Sequence, residues 1–237
     1  MTPREIRNMP ASVHDRLLNR AREAGRPFQE MLEHYAMERF LYRLGVSAYA
    51  GRFVLKGGLM LHAWGAAVSR PTRDIDLLGH AGNDVSGIVN MVSDVCRQPV
   101  ADDGLVFDHQ SCSGETINPE KEYTGVRVRF TAYLGRAKVP MQVDVGFGDV
   151  IVPGAVETEY PSLLGHTAAR VLGYTRESMI AEKLEAMLKR GEGNSRMKDF
   201  LDIWLLSQQY GFSGEVLCLA VQRTLHKRGS VVRRAPV

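Results

Sequence analysis

Two aspartates one residue apart, Asp74 and Asp76, stand in an otherwise apolar run that continues through Leu77-Leu78. If that run is a strand, both side chains leave the same face, because successive residues of a strand point to opposite sides. Two carboxylates so placed can share a divalent metal ion, and carboxylates in an apolar run need a reason to be there. Upstream, Arg52–Leu55 reads as a short strand ending at Lys56-Gly57-Gly58. Glycines at that point let backbone N–H groups come close to phosphate oxygens. Arg70-Pro71-Thr72-Arg73 lies between and brings cations to the same place. A phosphate cradle beside a metal clamp suits an enzyme that handles nucleoside triphosphates.

Three further positions could join this centre. Asp144 sits between Val143 and Val145 on an expected strand over 139–147. There it could complete a metal triad, or orient or deprotonate an attacking hydroxyl; taken alone it reads as a strand-end Asp with a hydrogen bond. Lys183 adjoins the apolar stripe of an expected helix. It is either a snorkelling surface lysine or a point charge delivered to a triphosphate. In Arg196-Met197-Lys198-Asp199-Phe200-Leu201-Asp202, the two aspartates are three apart and share a helix face. Lys198 with Asp202 could equally be a simple i,i+4 ion pair. His62 and His80 have no metal-ligand company, no nucleophile elbow surrounds a serine, and Cys96 has no recognisable His partner, so covalent catalysis is not expected.

Length and composition set the bounds. A chain of 237 residues makes one large domain or two small ones. Its 44% hydrophobic and 24% charged content is that of an ordinary globular protein with a sizeable core. A net charge of +3 does not single out a nucleic-acid binder, although basic clusters at 16–26, 183–198 and 223–234 around an acidic centre suit a polyanionic substrate. Three cysteines without CxxC spacing argue against a disulfide framework or a zinc knuckle. No run is long and apolar enough to span a bilayer, and the N-terminus lacks a signal-peptide h-region, which leads to the expectation of a cytoplasmic protein with reduced thiols and no membrane partner.

The elements that must position these residues follow from periodicity. Residues 1–9 read as a loose leader. Ser12 could cap a first helix with Val13, Leu17, Leu18 and Ala21 on one face; a second runs from Phe28 to Leu44. A short helix from Gly58 to Trp64 follows the first strand, Asp74–Leu78 forms the next, and Asn83 could cap a helix to Arg97. Residues 104–147 read as β, with turns at Gly114-Glu115 and Pro119–Glu122. Residues 148–174 show little periodicity and read as a connection. Three helices end the chain: from Thr175 to Arg190 with Ile180, Leu184, Met187 and Leu188 inward; from Ser195 with Met197, Leu201, Trp204 and Leu205 inward; and from Ser213 to Arg228. The fold class expected is α+β, a mixed sheet flanked by helices and followed by a C-terminal helical bundle, with residues 1–150 forming the sheet-containing region and 151–237 a helical region that completes the site.

The ordered set K-G-G, R-x-T-x-D-I-D, V-D-V, A-E-K-L and R-x-K-D-x-x-D resembles the AbiEii/AbiGii toxin family of nucleotidyltransferases, over roughly residues 10–210. The first motif alone resembles the wider DNA polymerase β-type superfamily. The resemblance implies that Lys56, Gly57, Gly58, Thr72, Arg73, Lys183 and Arg196 contact the nucleotide. It further implies that Asp74, Asp76 and Asp144 hold Mg²⁺, and that Lys183 and Asp199 are essential. It implies transfer of NMP from an NTP to RNA, notably a tRNA 3′ end, blocking translation, by a toxin with a cognate antitoxin. The second glycine replaces a Ser common in the superfamily, which removes one hydroxyl donor to phosphate. The gap from Gly58 to Asp74 is longer than the minimal motif. Transfer to a protein side chain, a non-catalytic NTP-binding module, and a DxD phosphohydrolase remain the competing readings.

Overall fold

The computed structural model describes residues 8–66, 71–80, 82, 84–117, 125–191 and 197–230. Helix α1 (Met9–Ala24) starts earlier than expected: Asn8, not Ser12, caps it by accepting from the Ala11 N–H, and Pro10 occupies the first turn, where no N–H is needed. Val13, Leu17 and Ala21 form its buried stripe. Helix α2 (Phe28–Gly45) has no polar side to spare. Met31, Leu32, Tyr35, Ala36, Phe40, Leu41 and Leu44 are buried, and so are Glu38, Arg39 and Arg43. A helix buried all round must find partners for its charges. Here Asp103, which precedes the third strand, takes both arginines.

Among the described residues, seven strands make one mixed sheet: β1 (Phe53–Lys56), β2 (Ile75–Gly79), β3 (Leu105–Ile117), β4 (Gly125–Leu134), β5 (Ala137–Phe147), β6 (Val156–Tyr160) and β7 (Ala169–Gly173). Their order is β3-β4-β5-β2-β1-β7-β6. β2 runs antiparallel to β1 and parallel to β5, and β1 runs parallel to β7. β4 and β5 alternate as their sequences require. Val126, Val128 and Phe130 are buried against Met141, Val143 and Val145, while Arg127 and Asp144 share the opposite face. Helix α3 (Gly58–Ala63) follows β1, and α4 (Val85–Arg97) packs on β3 with Ile88, Val92, Val95 and Cys96 inward. Asp84 caps α4 through the Gly87 N–H; Asn83 lies outside the described residues.

The connection expected at 148–174 contains β6 and β7, so the sheet extends past residue 150 to Gly173. β6 is a polar edge strand with only Tyr160 buried, and β7 alternates but is only five residues long, too short for its pattern to stand out. Gly114-Glu115 is not a turn but part of β3. A side chain at Gly114 would come within 2.4 Å of the Val89 side chain, so this glycine serves the close approach of α4. The turn expected at 119–122 lies outside the described residues. The C-terminal helices are α5 (Arg176–Arg190), α6 (Met197–Gln209) and α7 (Gly214–Lys227). Thr175 caps α5 as expected, by accepting from the Ser178 N–H; Ser195 lies outside the described residues. Two apolar stripes are corrected. α5 buries Met179, Ile180, Ala181 and Glu185 and leaves Leu188 exposed. α6 buries Asp199, Asp202 and Leu206, while Met197, Leu201 and Trp204 face out. Among the described residues, no helix is long and apolar enough to cross a membrane.

Candidate active site

Register sets the centre of the site. Lys56 on β1 pairs with Asp76 on β2, Asp76 with Asp144 on β5, and Asp144 with Arg127 on β4. Cross-strand partners on one face are direct neighbours, so the sheet lines up cation, carboxylate, carboxylate and cation across four strands. Asp74, just before β2, adds a third carboxylate. Asp74, Asp76 and Asp144 each offer an oxygen, and the three oxygens lie within 4.8 Å of one another. Burial, and then the negative charge of Asp74, pushes the Asp76 carboxyl up to about 6, with Lys56 pulling the other way. Arg127 holds Asp144 through two hydrogen bonds of 2.8 and 2.6 Å.

The glycine motif lies against this cluster. Gly57 adopts φ 68°, ψ −153°, a conformation open essentially to glycine alone. A Cβ there would sit 2.0 Å from an Asp76 carboxylate oxygen. Gly57→Ala is therefore expected to displace Asp76, and to abolish nucleotide transfer with a modest loss of stability. Activity assays beside thermal melts check this; wild-type activity would show that the cradle is not needed. The Thr72 hydroxyl is buried beside the cluster and has no hydrogen-bond partner among the described residues. An orphaned hydroxyl at a cavity wall is a donor awaiting a ligand.

The C-terminal helices close the other side. Lys183 on α5 donates to Asp199 and Asp202 on α6, at 3.1 and 2.6 Å. This explains the inverted burial of α6: a lysine drawn out of water requires carboxylates, and the acidic face turns inward to supply them. Asp202 thereby serves Lys183 rather than forming a simple helical pair with Lys198. A cavity of about 360 Å³ is lined by Lys56, Gly57, Gly58, Thr72, Asp74, Asp76, Asp144, Lys183 and Asp199, all expected, together with Tyr174, Glu182, Lys198 and Arg228, among others. Arg73 is exposed and is not among the lining residues; Arg196 lies outside the described residues.

Over residues 39–237 the chain matches the family model described as the nucleotidyl transferase AbiEii toxin of a type IV toxin–antitoxin system. It belongs to the AbiEii family. By family this AbiEii protein is a toxin nucleotidyltransferase. Its fold is similar to that of JHP933 from Helicobacter pylori, with a TM-score of 0.51 at 15% identity, covering 77% of this chain and 67% of that one. A more distant similarity is to an antigenic nucleotidyltransferase-like protein from Paracoccidioides brasiliensis, with a TM-score of 0.42 at 13% identity, covering 75% and 80% of the two chains. No curated protein sequence matches the chain.

The AbiEii protein also holds a charge network of which the sequence motifs supply only Lys56 and Glu182. Lys56 donates to Asp149 at 2.7 Å and lies 3.9 Å from Glu182. Burial works to lower the Lys56 pKa, but Glu182 and Asp149 outweigh it and keep the ammonium charged. Arg228, just past α7, reaches Asp149 at 2.8 Å, Glu182 at 3.3 Å and Glu185 at 2.9 Å. The Tyr174 hydroxyl donates to Glu182. One guanidinium thus ties the last helix to α5 and to the loop after β5, at the wall of the cavity. A small apolar cluster centred on Val152, Ala181 and Ala220 joins the same elements.

Proposed function

We propose that this toxin transfers an NMP unit from an NTP to a hydroxyl of an RNA acceptor, in particular a tRNA 3′ end, with loss of pyrophosphate, and so blocks translation. The observation that carries the reading is one cavity joining the glycine cradle and the three aspartates to Lys183 and Asp199 from the C-terminal helices. The RNA acceptor and a cognate antitoxin rest on the family membership and the motif resemblance.

The residues fit a divalent ion of the Mg²⁺ kind. Three hard carboxylate oxygens lie within reach of one another, and burial, with the negative charge of Asp74, raises the Asp76 carboxyl. When bound, such an ion supplies charge neutralisation at the phosphoryl oxygens. The chain's own groups do the rest. Gly57 and Gly58 let the triphosphate approach the backbone, and the Thr72 hydroxyl, without a partner among the described residues, donates to it. Lys183, aimed by Asp199 and Asp202, and Lys56 offset its negative charge. The acceptor oxygen attacks the α-phosphorus and its proton passes to an Asp144 carboxylate oxygen. The bond from the α-phosphorus to the bridging oxygen breaks, and pyrophosphate leaves with the electron pair.

Incubating the protein with each α-labelled NTP, Mg²⁺ and total RNA is expected to label RNA and release pyrophosphate, with Asp76→Ala inactive. Label confined to a protein band would replace RNA with a protein acceptor. NTP binding without pyrophosphate release would reduce the protein to a binding module.

A further inference from the structure

Helix α6 carries an apolar stripe that none of the described residues covers. Met197, Phe200, Leu201 and Trp204 recur at helical spacing on one side and are 69, 41, 37 and 57% exposed. The opposite side delivers Asp199 to the active-site cavity and Asp202 to Lys183. Two of the four exposed side chains are aromatic. Among the described residues, the exposed charges where α5 ends and α6 begins are basic. Lys189 and Arg190 are exposed at the end of α5, and Lys198 is exposed at the start of α6 while also lining the cavity. The carboxylates that these helices could have set against them, Glu182, Glu185, Asp199 and Asp202, are turned inward and ion-paired.

We infer that the outer face of α6 is a stacking platform for a single-stranded segment of the nucleic-acid acceptor. Its bases lie on Trp204 and Phe200, its phosphates face Lys189, Arg190 and Lys198, and Lys198 leads its end into the cavity. This rests on the RNA-acceptor reading above and goes beyond it by assigning the surface. Aromatic faces beside cations are the general means of holding an unpaired strand without reading its sequence.

The test measures steady-state NMP transfer and RNA binding for wild type, Trp204→Ala, Trp204→Tyr, Trp204→Leu and the double variant Lys189→Gln/Arg190→Gln. Trp204→Ala and Trp204→Leu are expected to raise the KM for RNA about tenfold, the effect of removing one base stack, with the KM for NTP unchanged. Trp204→Tyr keeps a π-face and is expected to retain most of the affinity. The double variant is expected to flatten the dependence of log affinity on log salt by about 0.7 for each phosphate that is no longer neutralised. Trp204→Leu matching wild type would show that the surface is merely apolar and overturn the platform. A concentration-dependent dimer abolished by Trp204→Ala would overturn it in favour of self-association. If wild type labels RNA and every variant does so with the same KM, the platform fails while the RNA-acceptor reading stands. If wild type labels no RNA at all, the acceptor reading fails and the platform falls with it.

Discussion

Asp76→Asn is expected to lower nucleotide transfer by about a thousandfold or more, while raising the thermal stability of the metal-free protein at neutral pH. The rate follows from position. Asp76 is the middle carboxylate of the row, in register with both Lys56 and Asp144, and lies directly against Gly57. A neutral amide cannot replace a carboxylate in holding a divalent ion, and a loss of that size is roughly 4 kcal/mol of transition-state stabilisation. The stability effect follows from charge. The Asp76 carboxyl is raised to about 6 by burial and by Asp74. An acid whose pKa is raised on folding opposes the fold once ionised. The opposition is absent below its unfolded value of about 4, grows as pH rises through the folded value, and is complete above it. Asparagine removes it, so the variant should gain on the order of 1–2 kcal/mol at pH 8 and nothing near pH 4. Mg²⁺ should raise the melting temperature of wild type but not of the variant. These opposite movements are what a strained ligand set predicts. A lower melting temperature for Asp76→Asn at pH 8 would instead make Asp76 a structural partner of Lys56.

The parts of this site that can be read from the sequence share one property: each signal is local. Asp74-Ile75-Asp76 and Val143-Asp144-Val145 announce themselves because a carboxylate breaks an apolar strand pattern, and register then places Asp144 beside Asp76. Gly57 is legible because a glycine pair directly after an apolar strand lets the backbone approach phosphate. Lys183 and Asp199 stand out as candidates in their own helices, but their joining one site is legible only through motif resemblance, since nothing within either helix says that they meet. The network around Arg228 cannot be read at all. Asp149, Glu182, Glu185 and Arg228 are scattered over eighty residues, each an ordinary charge in its own segment, and only the docking of α7 on α5 brings them together. α6 misleads for a related reason. Trp204, Leu201 and Met197 have the spacing of a buried stripe, but the demand of Lys183 for carboxylates outweighs the gain from burying them. β6 escapes notice because an edge strand with one buried residue leaves almost no alternation to detect, and β7, which alternates inside the sheet, is only five residues long.

The largest stability loss is expected away from the site, at Asp103. Its carboxylate is almost fully buried and accepts from Arg39 Nε at 2.9 Å and from Arg43 Nη1 and Nη2 at 2.7 and 3.1 Å. It also accepts from the Leu105 N–H, while the Asp103 carbonyl accepts from the Tyr35 hydroxyl. The two arginines stack on aromatic rings, Arg39 on Tyr42 and Arg43 on Phe107, so neither can swing out to water without giving up packing. Asp103→Asn preserves shape but leaves two buried guanidinium groups facing a neutral amide. Removing one partner of a buried ion pair costs about 3–5 kcal/mol, which for a chain of this length is a fall in melting temperature on the order of 10 °C. The pH dependence has a definite sign. Burial alone would raise the Asp103 pKa, but the hydrogen bonds and charges of Arg43 and Arg39 outweigh it and bring the carboxyl below its ordinary value. A depressed acid stabilises the fold above its unfolded pKa of about 4, and that contribution is lost as pH falls through the folded value. Wild type should therefore lose stability more steeply than Asp103→Asn in acid below about pH 4, so that the two melting curves converge. A gap that stays constant down to about pH 2 would assign the loss to packing rather than to charge. Because the ion cluster lies between α2 and the start of β3, away from the row of Lys56, Asp76 and Asp144, folded Asp103→Asn at low temperature should keep near-normal transfer activity.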